Sequence, residues 1–160
     1  MGLLILSISF SQFLIFSCEG INCAIDNVVT LNMGFYDEND TKKAITDTLT
    51  VTAEGTDSVL YNRGINITSL SLPMSHWQEA DTLTMTFRDT LGTDHIVKLR
   101  IEKTNLPHYE SPDCPTAMFH EIKSVTMTSG SPYVDSVVLA KPKVNYEALE
   151  NVKIYLHPTD

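Results

Sequence analysis

The sequence predicts an all-β domain: a β-sandwich, immunoglobulin-like or related, built from about eight or nine short and mainly antiparallel strands. Apolar and polar residues alternate with a period of two along many short segments, which is the pattern of half-buried strands. These segments are rich in Val, Ile and Thr, and clusters of Gly, Asn, Asp and Ser separate them. The length of 160 residues suits a single domain.

The strand candidates follow one another along the chain with short breaks between them. They are residues 27–36, 45–53, 57–61, 67–72, 81–87, 95–101, 121–128, 134–140 and 151–157. Only residues 146–150 have the composition of a helical turn. Residues 104–117 contain three prolines and are predicted to form the longest irregular segment, which in a compact domain is usually functional or pinned.

A short tripeptide, Asp followed by Thr or Ser and then Leu or Val, recurs at 47–49, 57–59, 81–83, 89–91 and 135–137. A series of carboxylates for metal or sugar is one interpretation. We favour turn capping instead, because Asp and Ser/Thr side chains bond nearby backbone N–H groups where strands begin. Residues 37–40 are likewise interpreted as a solvated hairpin tip and not as a calcium loop, since they lack the glycine and the distal glutamate.

The chain begins with an uncharged apolar stretch, residues 1–17, which has the length of a signal-peptide core and is too short for a confident membrane span. Residues 15–18, Ile-Phe-Ser-Cys, resemble a bacterial lipobox, in which the cysteine receives the lipid. We therefore predict a lipoprotein signal peptide at 1–17, lipidation of Cys18, a short lipid-anchored tether at 18–26 and one β domain at 27–160. The alternative is an ordinary cleaved signal with Cys18 in the mature fold.

The chain contains three cysteines, and lipidation of Cys18 leaves Cys23 and Cys114. An oxidising compartment favours a disulfide between these two. Such a bridge closes a loop of roughly 90 residues and is worth on the order of 4 kcal/mol in the chain-entropy model. A Cys18–Cys23 bridge and a free buried thiol remain open as alternatives.

The net charge of −9 is spread over the chain and excludes some classes of partner. Nucleic-acid binding requires clustered Lys and Arg, so we expect no nucleic-acid partner. Charge-driven docking on an anionic leaflet is disfavoured for the same reason.

The sequence contains no nucleophile elbow, phosphate loop or HExxH motif, and we therefore expect no enzymatic activity, no cofactor and no metal site. His108, Asp113, Cys114 and His120 are close in sequence, but their spacing does not match the common zinc patterns. His120 is interpreted as a hydrogen-bonded histidine at the start of a strand.

Three residues are candidate contacts for a ligand or partner: Trp77, His108 and Tyr109. Trp77 is interpreted either as part of the core edge or as a stacking platform for a sugar or a protein. His108 and Tyr109 lie in the irregular segment 104–117.

Several longer stretches carry a resemblance to a known family. They are GFYDEND at 34–40, DTLTVTAEGTDSVLYN at 47–62, LSLPMS at 70–75, NLPHYESPDCPTAMFH at 105–120 and VDSVVLAKPKVNYEALENVKIYL at 134–156. With the N-terminal cysteine, their order resembles an uncharacterised lipoprotein family of Bacteroidota. The resemblance implies an all-β envelope domain of unknown function, and it matches Cys23 and Cys114 to the recurrent cysteines of the family.

These observations together favour a non-enzymatic lipoprotein of the cell outer membrane that acts as an accessory, protein-binding subunit of an outer-membrane protein complex. The expected partners are an integral outer-membrane protein and the bilayer itself, through acylated Cys18. We expect the domain to face the periplasm, with surface exposure left open. The alternative is a small-ligand or glycan-binding lipoprotein module that uses segment 104–117 together with Trp77.

Overall fold

The computed structural model describes Cys23 and residues 28–56, 58–129 and 132–158. Within these residues the chain forms ten strands and no helix, which confirms the predicted all-β class. The strands are β1 (Leu31–Tyr36), β2 (Thr48–Ala53), β3 (Val59–Gly64), β4 (Ser69–Leu72), β5 (Ala80–Arg88), β6 (Asp94–His108), β7 (Ala117–Ser129), β8 (Val134–Leu139), β9 (Lys143–Val144) and β10 (Val152–Leu156).

The strands form two sheets, one of four strands in the order β4-β1-β10-β8 and one of six in the order β3-β2-β5-β6-β7-β9. The pairs are antiparallel except for β1 and β10, the first and last strands, which run parallel. This arrangement agrees with the predicted sandwich of mainly antiparallel strands.

The core lies between the two sheets and consists of the inward-facing residues of each strand, because successive side chains of a strand point to opposite faces. Fully burying one such aliphatic or aromatic side chain stabilises the fold by about 2 kcal/mol. The six-stranded sheet contributes Leu49, Val51, Leu83, Met85, Phe87, Val97, Leu99 and Ile101, and the four-stranded sheet contributes Leu31, Met33, Phe35, Leu72, Val152 and Ile154.

The nine predicted strands are all present, and the sequence missed only the two-residue β9. The prediction of an irregular segment at 104–117 is wrong over much of its length. β6 continues to His108 and pairs with β7 from Ala117 onward, so only residues 109–116 are irregular. Pro107 is tolerated in this ladder because β5 begins only at Ala80, opposite Glu102, so that none of the described strands lies beside Pro107 on the β5 side of β6.

The segment at 145–148 forms a turn and no helix. The N–H of Ala148 donates to the carbonyl of Asn145 at 3.3 Å, and the N–H of Glu147 donates to the Asn145 side chain at 3.1 Å. Ala148 has a φ of 50°, which a continuing right-handed helix does not contain.

The predicted signal peptide, the lipidation of Cys18 and the tether apart from Cys23 lie outside the described residues, and they stay predictions. None of the residues that the structure does describe belongs to a helix long and apolar enough to cross a membrane.

Candidate functional site

Four polar side chains lie together near one end of the six-stranded sheet, and we call them the buried polar cluster: Asp81, Lys103, Asn105 and His120. Asp81 is near the start of β5, Lys103 and Asn105 are on β6, and His120 is on β7 directly opposite Asn105. Lys103 is 0% exposed and His120 is 2% exposed. A buried lysine requires hydrogen-bond acceptors on every side, and the surrounding chain supplies them.

Lys103 fixes the connection between β4 and β5, residues 73–79, which we call the Trp77 loop. Its Nζ donates to the carbonyl oxygens of Ser75 at 2.6 Å and Gln78 at 2.5 Å, and to Asn105 Oδ1 at 3.0 Å. The carboxylate of Asp81 is 3.5 Å from the same ammonium group. The three N–H groups of the ammonium thus have acceptors, and two of these acceptors are backbone carbonyl groups of the Trp77 loop.

Asn105 adds a second attachment for the same loop. Its Nδ2 donates to the carbonyl oxygens of His76 and Gln78, both at 3.0 Å. The carbonyl groups of the loop therefore point inward, and the side chain of Trp77 is left 90% exposed. The interpretation of Trp77 as part of the core edge is wrong.

Burial shifts the pKa values of three groups in the cluster. It lowers the pKa of Lys103 and raises the pKa of Asp81, and the attraction between the two groups opposes both shifts. Burial also lowers the pKa of His120 to about 4, with repulsion from Lys103 and His76 acting in the same direction. His120 is therefore neutral at physiological pH.

His120 is only half satisfied, and the interpretation of it as a fully hydrogen-bonded histidine is wrong. Its Nδ1 lies 2.8 Å from Asn105 Oδ1, which accepts, so Nδ1 carries the proton. Its Nε2 is buried, and no group in the described part of the chain forms a hydrogen bond with it. The ring of His76, in the Trp77 loop, lies 6.1 Å from the ring of His120, measured between centroids.

His108 belongs to a different surface from the Trp77 loop. Its ring stacks on Phe119 at 4.3 Å between centroids, and Tyr146 packs edge-on against Phe119 at 4.9 Å. His108 lies three residues after Asn105, so it points to the opposite face of β6. The structure therefore places Trp77 and His108 on opposite faces of this strand, while Tyr109 follows the strand and is 72% exposed.

Cys23 and Cys114 form a disulfide with 5.5 Å between their Cα atoms, as the sequence predicts. The bridge attaches the start of the chain to the loop at 109–116. It removes Cys114 from any zinc site, and His108 and His120 face away from each other. Within the described ranges no three His, Cys, Asp or Glu side chains lie close enough to hold a metal ion.

The Trp77 loop and the bridged loop lie at the same end of the sandwich, which we call the disulfide end. The Trp77 loop is attached at Lys103 and Asn105, and loop 109–116 begins where β6 ends, a few residues further on. At its opposite end, β6 begins directly after the turn at 89–93. This turn contains Leu91, which is 91% exposed. A strand of 15 residues spans roughly 45 Å, so Leu91 is far from the disulfide end.

A cleft of about 260 Å³ adjoins the Trp77 loop. Its lining combines polar residues, among them Glu54, Ser58, Gln78 and Asp81, with apolar residues, among them Leu60, Met74 and Leu83. A second cleft, of about 250 Å³, is more apolar and is lined by Ile45, Phe87 and Leu156, with Asp47 and Tyr133 among its polar residues. A hydrogen bond from Tyr133 to Asp47 raises the pKa of Tyr133 to about 12.

The turn-capping interpretation of the Asp tripeptides is confirmed at Asp89, and Asp81 also accepts from a loop N–H but has a second partner that the interpretation did not include. Asp89 Oδ1 accepts hydrogen bonds from the backbone N–H groups of Leu91 at 2.9 Å and Thr93 at 2.8 Å. Asp81 faces the buried ammonium of Lys103 and accepts from the N–H of Ser75 at 3.2 Å. Both aspartates belong to the same strand, Asp81 near the start of β5 and Asp89 directly after its end, so the same tripeptide has different partners at the two ends of one strand.

Fold and site together define a small β-sandwich domain with an aromatic loop fixed on a buried polar cluster. The family model that matches residues 48–156 is described as a family of unknown function, DUF6452. The match covers about two thirds of the 160-residue chain, from β2 to β10, and the chain belongs to this family. No curated protein matches the chain, and no solved structure matches it.

Proposed function

We propose that the protein is a non-enzymatic, lipid-anchored accessory subunit of an outer-membrane protein complex. The observation that carries the proposal is the disulfide between Cys23 and Cys114, which joins Cys23, five positions after Cys18, to the disulfide end of the domain. The lipobox-like residues before Cys18 and the resemblance to Bacteroidota lipoproteins support the anchor and the envelope location.

The tether between the lipid and the domain is short. Five peptide units separate Cys18 from Cys23, and even a fully extended chain spans no more than about 18 Å over that number. A domain held this close to the bilayer samples a small volume around its anchor. This restraint suits a subunit that stays beside an integral membrane protein, and it does not suit a protein that reaches distant ligands.

A single acidic residue, Glu19, directly follows Cys18, and no acidic run extends beyond it. We therefore place the domain on the periplasmic side of the outer membrane. The partner in this proposal is an integral outer-membrane protein whose periplasmic rim lies within the reach of the tether.

Affinity purification tests this function. The full-length protein with a C-terminal tag is extracted from its native envelope in mild detergent, and co-purified proteins are identified by mass spectrometry. We expect one integral outer-membrane protein to be recovered repeatedly, and to be depleted when Cys18→Ala removes the anchor. Recovery of the lipoprotein alone in repeated preparations contradicts the proposal.

A glycan-binding module is the second candidate, and the cleft of about 260 Å³ beside the Trp77 loop, with its mixed polar and apolar lining, favours it. An exposed indole stacks well on the apolar face of a sugar ring, and the cleft supplies hydroxyl and carboxylate groups. Calorimetric titration with envelope oligosaccharides separates the candidates. Saturable binding that is lost in Trp77→Ala but kept in Leu91→Ala supports the glycan module.

A further inference from the structure

The most exposed tryptophan and tyrosine side chains among the described residues lie at one end of the sandwich, on the two faces of the β6–β7 pair. Trp77, Tyr109 and Tyr146 are the aromatic residues with the most exposed rings, and each lies at the disulfide end. Tyr146 belongs there because its ring contacts Phe119 and His108, at the last cross-strand pairs of β6 and β7. Tryptophan and tyrosine combine an apolar ring with a polar group, and they are enriched where a membrane meets water.

The charge of this end determines which kind of membrane it suits. The Trp77 loop and residues 104–116 contain no Lys or Arg, and they carry Glu79, Glu110 and Asp113. An anionic leaflet would repel these carboxylates. Contact through aromatic rings therefore suits a leaflet with zwitterionic headgroups, such as phosphatidylethanolamine or phosphatidylcholine.

The Trp77 loop is ordered before any contact is made. Lys103 and Asn105 bind the inward-facing carbonyl groups of Ser75, His76 and Gln78. Because the loop is already fixed, seating the indole at an interface costs little conformational entropy. For a surface residue on a mobile loop, the entropy cost of ordering the backbone would offset part of the favourable contact energy.

The tether brings the same end to the bilayer. Cys23 is no more than about 18 Å from Cys18 along an extended chain, and the bridge places Cys23 next to Cys114. The bilayer surface is thus within reach of the disulfide end, whereas Leu91 lies about 45 Å away along β6.

We infer that the disulfide end is a membrane-contacting surface, on which Trp77, Tyr109 and Tyr146 lie in the headgroup region of a zwitterionic leaflet and hold the domain end-on. This inference rests on the proposed lipid anchor at Cys18. It adds an orientation: the turn at 89–93 points away from the membrane.

The chain contains one tryptophan, so its fluorescence reports on Trp77 alone. The natural acylated protein is reconstituted into phosphatidylcholine vesicles, without other proteins. The reference is the protein without its anchor, in detergent-free buffer. Relative to this reference, we expect the tryptophan emission in vesicles to be shifted to the blue and to lose most of its quenching by aqueous iodide. We also expect lipids brominated near the headgroup to quench it. Vesicles rich in phosphatidylglycerol are expected to give a smaller shift.

A matched variant moves the probe to the opposite end. Trp77→Phe combined with Leu91→Trp exchanges two positions that are almost equally exposed, 90% and 91%. Its tryptophan is expected to remain quenched by iodide in the same vesicles. Equal protection at both positions would show a domain lying flat and would overturn the end-on orientation.

The outcomes separate this inference from the proposed function. Acylated protein whose Trp77 remains in water in lipid vesicles overturns the membrane contact and leaves the accessory-subunit proposal intact. If the emission of Trp77 shifts only when the co-purified partner is present, Trp77 contacts that protein. This result likewise overturns the membrane contact. Natural protein without acyl chains overturns both.

Discussion

Lys103 is the residue that connects the interior of the domain to its exposed tryptophan. Its ammonium group is out of contact with water, and it bonds two carbonyl groups of the Trp77 loop. A buried cation is costly unless each of its donors is paired, and here each one is. Replacing it removes the ammonium donor of the Ser75 carbonyl, leaves the Gln78 carbonyl with Asn105 alone, and leaves the carboxylate of Asp81 without its positive partner.

We predict that Lys103→Met lowers the free energy of unfolding by about 3 kcal/mol or more, because it breaks a buried pair and leaves Asp81 uncompensated. Lys98→Met is the matched control on the same strand. Lys98 pairs with Glu54 at the surface, and we expect the control to cost less than about 1 kcal/mol. Urea unfolding measures both, and equal losses would show that the buried position is not special.

His120 makes the stability of the cluster depend on pH. Its pKa is about 4 in the fold and 6.5 in an unperturbed side chain. Between these values the unfolded state binds the proton and the folded state does not, so acid favours unfolding. Above pH 6.5 the imidazole is neutral in both states and has no such effect.

We predict that the wild-type protein loses about 3 kcal/mol of stability relative to His120→Asn as the pH falls from 6.5 to 4. Asparagine retains a polar group near the position of Nδ1 and does not titrate. Unfolding free energies of the two proteins at a series of pH values give the difference. A difference that stays constant over this range would contradict the depressed pKa.

The buried polar cluster left one signal in the sequence. Along β6 the inward positions are Val97, Leu99 and Ile101, and Lys103 continues the same alternation. A lysine at an inward position predicts a buried or covered ammonium group. The partners of the Lys103 ammonium group could not be predicted, because three of them come from the Trp77 loop and β5. The alternation within β6 contains no information about residues on other elements.

At the scale of elements, the disulfide and the β6–β7 pair together form the disulfide end, for which we propose contact with the membrane. The two strands extend beyond the end of β5 and carry loop 109–116, to which Cys23 is joined. The sequence underestimated both strands because three prolines between residues 104 and 117 suggest an interruption. The missing N–H of Pro107 costs no ladder hydrogen bond on the β5 side of β6, where none of the described strands reaches Pro107.

We predict that Cys23→Ser combined with Cys114→Ser lowers the free energy of unfolding by about 4 kcal/mol, because the bridge closes a loop of 91 residues in the unfolded chain. Denaturant unfolding with and without a reducing agent provides the control. The reducing agent should destabilise the wild-type protein to the level of the double variant and leave the variant unchanged. An unchanged wild-type protein would show that the bridge does not contribute.

At the scale of the whole molecule, the period-two pattern was sufficient to predict the class and nearly all strands. It could not give the order of the strands. The parallel pairing of β1 with β10 joins residues more than a hundred positions apart, and nothing within either strand indicates its partner. β9 was missed because two residues are too few to show any alternation.

The location of the domain depends on the covalent state of its three cysteines, and this is also where the account is tested most directly. The measurement is the intact mass of the natural protein, followed by peptide mapping without reduction. The account predicts a chain that begins at Cys18, carries acyl chains there, and lacks two hydrogens through a Cys23–Cys114 bridge. A natural protein that is unacylated, or in which Cys18 is bonded to Cys23, would contradict it.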